Sequence, residues 1–258
     1  MKYFSPEKNI EISYQICGNE NGPKMVLIHG LYLNGECWRF QVPTFESIFH
    51  ILKFDLRGHG RSTKPKNQFK IRNYVDDLFA LLKHINWTKE LYLVGHSLGG
   101  MVALVYGLEN PSHVKKMVIA DSFCFVSQEA ITDVLGRINS RTLEKFAIEI
   151  SVRGLIPYDD EKAEFIAKLV TDHMTKEDCL QATAASADFN ICENLKTLNI
   201  PILLLVGKKD ITTPVWASEM MHKWLPQSEL CIIPDAGHLS ILDHPKEFND
   251  LVLSFLQK

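Results

Sequence analysis

No block of lysines or arginines occurs in this chain. Its net charge is −3 over 258 residues, so it lacks the basic stripe that a nucleic-acid partner requires. No apolar run approaches the length of a membrane span, which speaks against a membrane partner. There is no C-x-x-C pair. None of the six cysteines (Cys17, Cys37, Cys124, Cys179, Cys192 and Cys231) flanks histidines at zinc spacing, so no metal is expected. The thiols read as reduced, buried residues of a cytoplasmic protein. The opening residues Met1 to Lys8 hold no apolar core and do not read as a signal peptide. Internal repeats and low-complexity tracts are missing as well. What remains is a chain that is 46% apolar, enough for a sheet buried on both faces and too much for disorder. Its length suits one large domain, or one domain carrying a modest insertion.

Strand and helix patterns alternate along most of it. Ile10 to Ile16 alternates apolar and polar residues, the pattern of a half-exposed antiparallel edge strand. Met25-Val26-Leu27-Ile28, Phe49 to Asp55, Leu91 to Val94, Met117 to Ala120, Ile202 to Val206 and Glu229 to Ile233 read as further strands. Tyr74, Leu78, Leu81, Leu82 and Ile85 recur at helical spacing, and Pro245 opens a closing helix. Strands alternating with helices predict an α/β fold with a mostly parallel sheet wrapped by helices. The rhythm breaks between Ser122 and Ala187. Helical patterns fill that stretch, at Thr142 to Val152, Asp160 to Thr171 and Thr175 to Ala185. We expect a helical insertion there, overhanging the carboxyl ends of the strands.

Gly95-His96-Ser97-Leu98-Gly99 is the densest signal. It reads G-x-S-x-G and stands between a strand pattern and a helix pattern. A serine on such a sharp turn has its hydroxyl lifted above the sheet and the positive end of a helix beneath it. A serine hydroxyl needs a base, the base an orienting acid, and the oxyanion its donors. His238 lies on a small-residue loop after the last strand, on the same side of a parallel sheet as Ser97. His244 reads as capping or solvating the last helix, and His96 as a packing and hydrogen-bonding residue. Asp210 ends Val206-Gly207-Lys208-Lys209-Asp210, past another strand's carboxyl end, and is the favoured acid. Asp121 also ends a strand and is its rival. The backbone N–H groups of Leu31 and Leu98 are the expected oxyanion donors. Asp55-Leu56-Arg57-Gly58-His59-Gly60-Arg61-Ser62 lacks phosphate-loop spacing. It reads as a turn locked by Asp55, Arg57 and Ser62.

Together His29-Gly30, the Asp55 to Ser62 turn, Gly95 to Gly100, Gly207 to Asp210 and Gly237-His238 resemble the α/β-hydrolase superfamily, in the right order along nearly the whole chain. The resemblance implies an α/β-hydrolase fold: a mostly parallel eight-stranded sheet flanked by helices, with residues 1–121 and 188–258 as core and 122–187 as a helical cap. It carries a Ser-Asp-His triad onto Ser97, Asp210 and His238 and the oxyanion hole onto Leu31 and Leu98, with no cofactor. The ending Ala236 to Pro245 is similar to that of 3-oxoadipate enol-lactonases and small carboxylesterases. Epoxide hydrolases and haloalkane dehalogenases carry aspartate where this chain has Ser97. Carbon–carbon bond hydrolases show a serine- and glycine-rich segment where it has Leu31-Tyr32-Leu33-Asn34. Cofactor-free perhydrolases have an aromatic and a methionine in place of Leu31 and Leu98.

The expected function is therefore a serine esterase or lactonase working through an acyl-enzyme. A carbon–carbon hydrolase or lyase on the same triad is one alternative, and a slow-turnover ligand receptor another. The expected partner is a small-molecule substrate, and the expected state a monomer or homodimer. Phe123, Phe125, Val126, Leu135, Phe146 and Ile150 would form either the cap's face toward substrate or its own core. Arg137, Arg141 and Arg153 would either grip a substrate carboxylate or lie in solvent, and solvent is favoured.

Overall fold

Uninterrupted apolar runs become the central strands of one eight-stranded sheet in the computed structural model, which describes residues 1–258. In chain order the strands are β1 (Lys2–Glu7), β2 (Ile10–Gly18), β3 (Lys24–Ile28), β4 (His50–Phe54), β5 (Leu91–His96), β6 (Val114–Ala120), β7 (Ile202–Gly207) and β8 (Ser228–Ile233). Across the sheet they lie β1-β2-β4-β3-β5-β6-β7-β8. β2 is antiparallel to both of its neighbours, and every other pairing is parallel. The helices are α1 (Val42–Phe45), α2 (Ile71–His84), α3 (Leu98–Glu109), α4 (Gln128–Asn139), α5 (Leu143–Gly154), α6 (Asp160–Thr171), α7 (Lys176–Ala184), α8 (Val215–Trp224), α9 (Ser240–Asp243) and α10 (Pro245–Gln257).

Alternate residues of each central strand feed opposite cores. Val26 and Ile28 of β3 pack with Leu78 and Leu82 of α2 and Leu104 of α3. Met25 and Leu27 pack with Phe45 of α1 and Phe248 and Val252 of α10. Burying one such side chain contributes about 1.5–3 kcal/mol, whereas strand propensities differ by only about 1 kcal/mol. Burial on both faces therefore selects these strands. Between β6 and β7 the chain builds α4 to α7, whose N-caps Ser127, Thr142, Asp159 and Thr175 each accept a backbone N–H. These helices enclose their own cluster, including Ile138, Phe146, Val170 and Met174. Tyr32, from the loop after β3, joins it edge-on to Phe146 and hydrogen-bonded to Thr183 at 2.6 Å.

Three expectations need correction. β1 is the edge strand and β2 lies one place inside it; β1 alternates between exposed and half-buried residues, so it carries no hydrophobic period. Gln128–Asn139 is a helix that the periodicity missed, because it fully buries only Ile131 and Ile138. Cysteines 124 and 192 are not reduced thiols but a disulfide, joined across 68 positions of sequence. They meet where the chain leaves the sheet for the four helices and returns. There Ile191 N–H donates to Cys124 O at 2.8 Å, and Val126 N–H to Phe189 O at 2.9 Å. Local spacing carries no trace of a pairing made by topology. Cys17, Cys37, Cys179 and Cys231 remain free. No helix is long and apolar enough to cross a membrane.

Candidate active site

Ser97 sits between β5 and α3 at φ +52° and ψ −116°, a conformation that costs a non-glycine residue roughly 1–3 kcal/mol. Small neighbours make the turn possible. A Cβ on Gly99 would run into the carbonyl oxygens of Ile28 and His29. One on Gly30 would stand 2.6 Å from His96 Nδ1 and 3.2 Å from Ser97 Cβ. The Ser122 hydroxyl donates to the Ser97 carbonyl at 2.7 Å, tying the end of β6 to the turn.

His238 Nε2 lies 3.1 Å from Ser97 Oγ, and its Nδ1 lies 2.8 Å from Asp210 Oδ2. With Nδ1–H donating to the carboxylate, the Nε2 lone pair faces the serine hydroxyl. Asp210 is held by more than the imidazole. The amides of Thr212 and Thr213 donate to its Oδ1 at 2.7 and 2.9 Å, and the Thr213 hydroxyl to its Oδ2 at 2.5 Å. Burial opposes its ionisation, but the His238 charge and these hydrogen bonds outweigh burial and hold the carboxyl at about 2. His238 is shifted the other way. Burial disfavours its charge, yet Asp210, with smaller help from Asp121 and Asp243, raises its pKa above the ordinary value.

Asp121 is not bonded to that imidazole. It accepts the Gly207 amide at 3.0 Å and the Ser240 hydroxyl, with His96 Nε2 3.7 Å away. Burial, then the Asp210 charge, push its carboxyl well toward the neutral form. His96 donates from Nε2 to the His238 carbonyl at 2.8 Å, so the turn residue also anchors the imidazole's loop. Burial drives His96 down to about 3, leaving it neutral. The structure thus brings Ser97, Asp210 and His238 into one chain of hydrogen bonds and keeps Asp121 out of it. His244 makes no side-chain cap on α10 and instead lies 3.2 Å from Asp243 Oδ1. Sequence reading missed Ser122 and the Thr212-Thr213 pair. Only the pair left a signal, since an aspartate followed by Ile-Thr-Thr-Pro favours a turn in which its side chain caps the amides two and three residues on.

The backbone N–H groups of Leu31 and Leu98 donate to no acceptor in the protein, while both residues line the cavity over Ser97. His29 fixes the Leu31 loop. Its Nδ1–H donates to Gly30 O at 2.8 Å and its Nε2 accepts the Leu56 amide at 2.9 Å. The Asp55–Ser62 turn is locked as its residues suggest. Asp55 accepts the amides of Gly35 and Arg61, and Ser62 donates to the Asp55 carbonyl. Arg57 forms a buried two-pronged pair with Asp77 of α2, at 2.6 Å on both prongs.

The cavity encloses about 360 Å³ between the sheet's rim and α4 and α5. Phe123, Val126, Phe146 and Ile150 line it, so four of the six apolar candidates face substrate space. Phe146 is also part of the helices' own core. Phe125 instead lies against Trp216, and Leu135 is outside the lining. Arg137 and Arg153 line the cavity; Arg141 does not and pairs with Glu149 at 2.7 Å.

A sheet of this order, with a serine on the β5–α3 turn below an apolar cavity, defines the hydrolase class that bears the fold's name. The sequence matches the family described as alpha/beta hydrolase fold over residues 23–148 and 158–245, and the chain belongs to that family. Among curated proteins it is 22% identical to 3-oxoadipate enol-lactonase 2 of Acinetobacter baylyi, covering 97% of this chain and 95% of that one. Among solved structures it resembles a hydrolase from Pseudomonas aeruginosa, with TM-score 0.92 and 22% identity over 100% of this chain and 98% of the other. A thermophilic esterase from Thermogutta terrifontis matches with TM-score 0.87 and 26% identity, over 96% of this chain and 93% of that one.

Proposed function

We propose that this hydrolase is a serine enzyme that cleaves small carboxylic esters or lactones through an acyl-enzyme. The observation that carries the reading is the relay from Ser97 Oγ to His238 Nε2, 3.1 Å, and from His238 Nδ1 to Asp210 Oδ2, 2.8 Å. Ser97 attacks the acyl carbon while His238 takes its proton. The amides of Leu31 and Leu98 hold the oxyanion, each worth about 3 kcal/mol in the transition state. His238 then protonates the leaving alkoxide, and Ser97 carries the acyl group. A water gives its proton to His238 and attacks the acyl carbon, and that proton returns to Ser97 as the acid departs. Asp210 stays ionised throughout and fixes the imidazole tautomer. Helices α4 to α7 serve as the cap that closes the substrate space. The names of the enol-lactonase and esterase relatives agree with ester-type chemistry.

Labelling with a fluorophosphonate tests the proposal. The wild type is expected to label and to hydrolyse p-nitrophenyl acetate or butyrate. Ser97→Ala is expected to lose both while keeping its circular-dichroism spectrum. A wild type that neither labels nor turns over any ester would favour a ligand receptor and overturn the reading.

A further inference from the structure

Arg153 has no partner. Every other arginine of the chain meets an acid or an aromatic ring: Arg57 meets Asp77, Arg61 Glu36, Arg72 Glu109, Arg137 and Arg141 Glu149, and Arg39 the ring of Phe165. Arg153 meets neither, although it is only partly exposed and lines the cavity it shares with Ser97 and His238. The cavity's other charged side chains cancel. Asp133 and Arg137 pair at 3.0 Å, with Glu149 a further 3.1 Å from Arg137. His96 is neutral, as above. One positive charge is therefore uncompensated in a largely apolar chamber.

Helix electrostatics alone do not account for it. Arg153 lies in the last turn of α5, where a cation gains about 0.3–1 kcal/mol from the helix dipole. A guanidinium aimed at open solvent would gain as much. Its backbone is also fixed against the relay. Leu239 N–H donates to the Gly154 carbonyl at 2.9 Å, and a Cβ on Gly154 would strike the Leu239 side chain. The arginine thus projects from a wall docked beside His238.

We propose that Arg153 is a specificity-determining residue that receives a free carboxylate carried by the substrate away from its scissile bond. This rests on the serine-hydrolase reading and narrows it to small esters or lactones bearing one remote carboxylate. A planar guanidinium offers two parallel N–H groups matched to a carboxylate. A phosphate dianion would call for a second cation, and the cavity has none to spare. No lysine lines it, Arg137 is engaged, and the N-terminus of α3 lies under Ser97.

Two substrate pairs test this and locate the anion. Monomethyl and dimethyl adipate place the carboxylate on the acyl side. The acetyl ester of γ-hydroxybutyrate and that of its methyl ester place it on the alcohol side. Wild-type kcat/KM is expected to favour the carboxylate member of at least one pair by about tenfold or more, chiefly through KM. Arg153→Gln should collapse that ratio. Arg153→Lys, which keeps the charge and loses the fork, should retain part of it. Arg141→Gln, outside the cavity, should retain all of it. If neutral esters turn over but neither pair shows the preference, or if Arg153→Gln leaves it intact, the assignment to Arg153 is wrong while the serine-hydrolase reading survives. If no ester of either pair is hydrolysed and fluorophosphonate labelling fails too, both fall together.

Discussion

An imidazole that is to take a proton from Ser97 must first be neutral, and that requirement sets the pH behaviour of the site. Burial disfavours the charged form of His238, but the neighbouring carboxylates, Asp210 foremost, win and raise its pKa above 6.5. The acid limb of kcat/KM should therefore have its midpoint above that value, with activity lost as pH falls through it. Asp210→Asn removes the main raising influence, so the limb of the residual activity should move to lower pH. The rate itself should fall by about 10³–10⁴-fold, since the imidazole loses its tautomer partner. Asp121→Asn should do less, because its carboxyl bonds Gly207 and Ser240 rather than the imidazole. Steady-state profiles of the two variants decide the matter. A larger loss in Asp121→Asn would transfer the acid role to that residue. From the sequence, both aspartates end strands and Asp210 is the favoured one; the 2.8 Å contact with the imidazole is what separates them in space.

At the scale of elements, the turn after β4 is a clamp. Arg57 joins it to α2 through Asp77, which is almost wholly buried, and to β1 through Glu7, which is mostly exposed. These partners should not contribute alike. Asp77→Ala leaves a guanidinium buried without its main partner and should cost about 3–5 kcal/mol of stability. Glu7→Gln removes a solvent-screened contact and should cost less than about 1 kcal/mol. Urea denaturation of the two variants checks the ordering, and equal losses would contradict it. The turn was legible as a lock because charged residues alternate there with glycines after a strand. Asp77 was not, because nothing in the periodicity of α2 shows what its polar positions face. β1 escaped for a related reason: an edge strand with little buried surface has no hydrophobic pattern to display.

Across the whole molecule, the Cys124–Cys192 bond holds the two ends of the four-helix segment where they leave and rejoin the sheet. Closing a loop of 68 positions restricts the unfolded chain, and removing the link should cost about 2–4 kcal/mol. Cys124→Ser should lower Tm accordingly, and a dithiol reductant should do the same to the wild type but not to the variant. Phe123 and Val126, which flank Cys124, line the cavity, so KM should move with the link as well. Identical melting curves with and without reductant would show that the bond carries no such load. The sequence by itself determined the central strands, the strand–serine–helix turn and the helical stretch interrupting the sheet. Each is written in hydrophobic periodicity or small-residue spacing within a few neighbours, and apolar burial enforces it locally. Only the tertiary structure set Asp210, already favoured, against His238 with Asp121 apart, and it alone decided which cysteines join and which arginine stands unpaired in the cavity. Those are distances between groups scores of residues apart, set by the order in which the strands pair and not by any pattern along the chain.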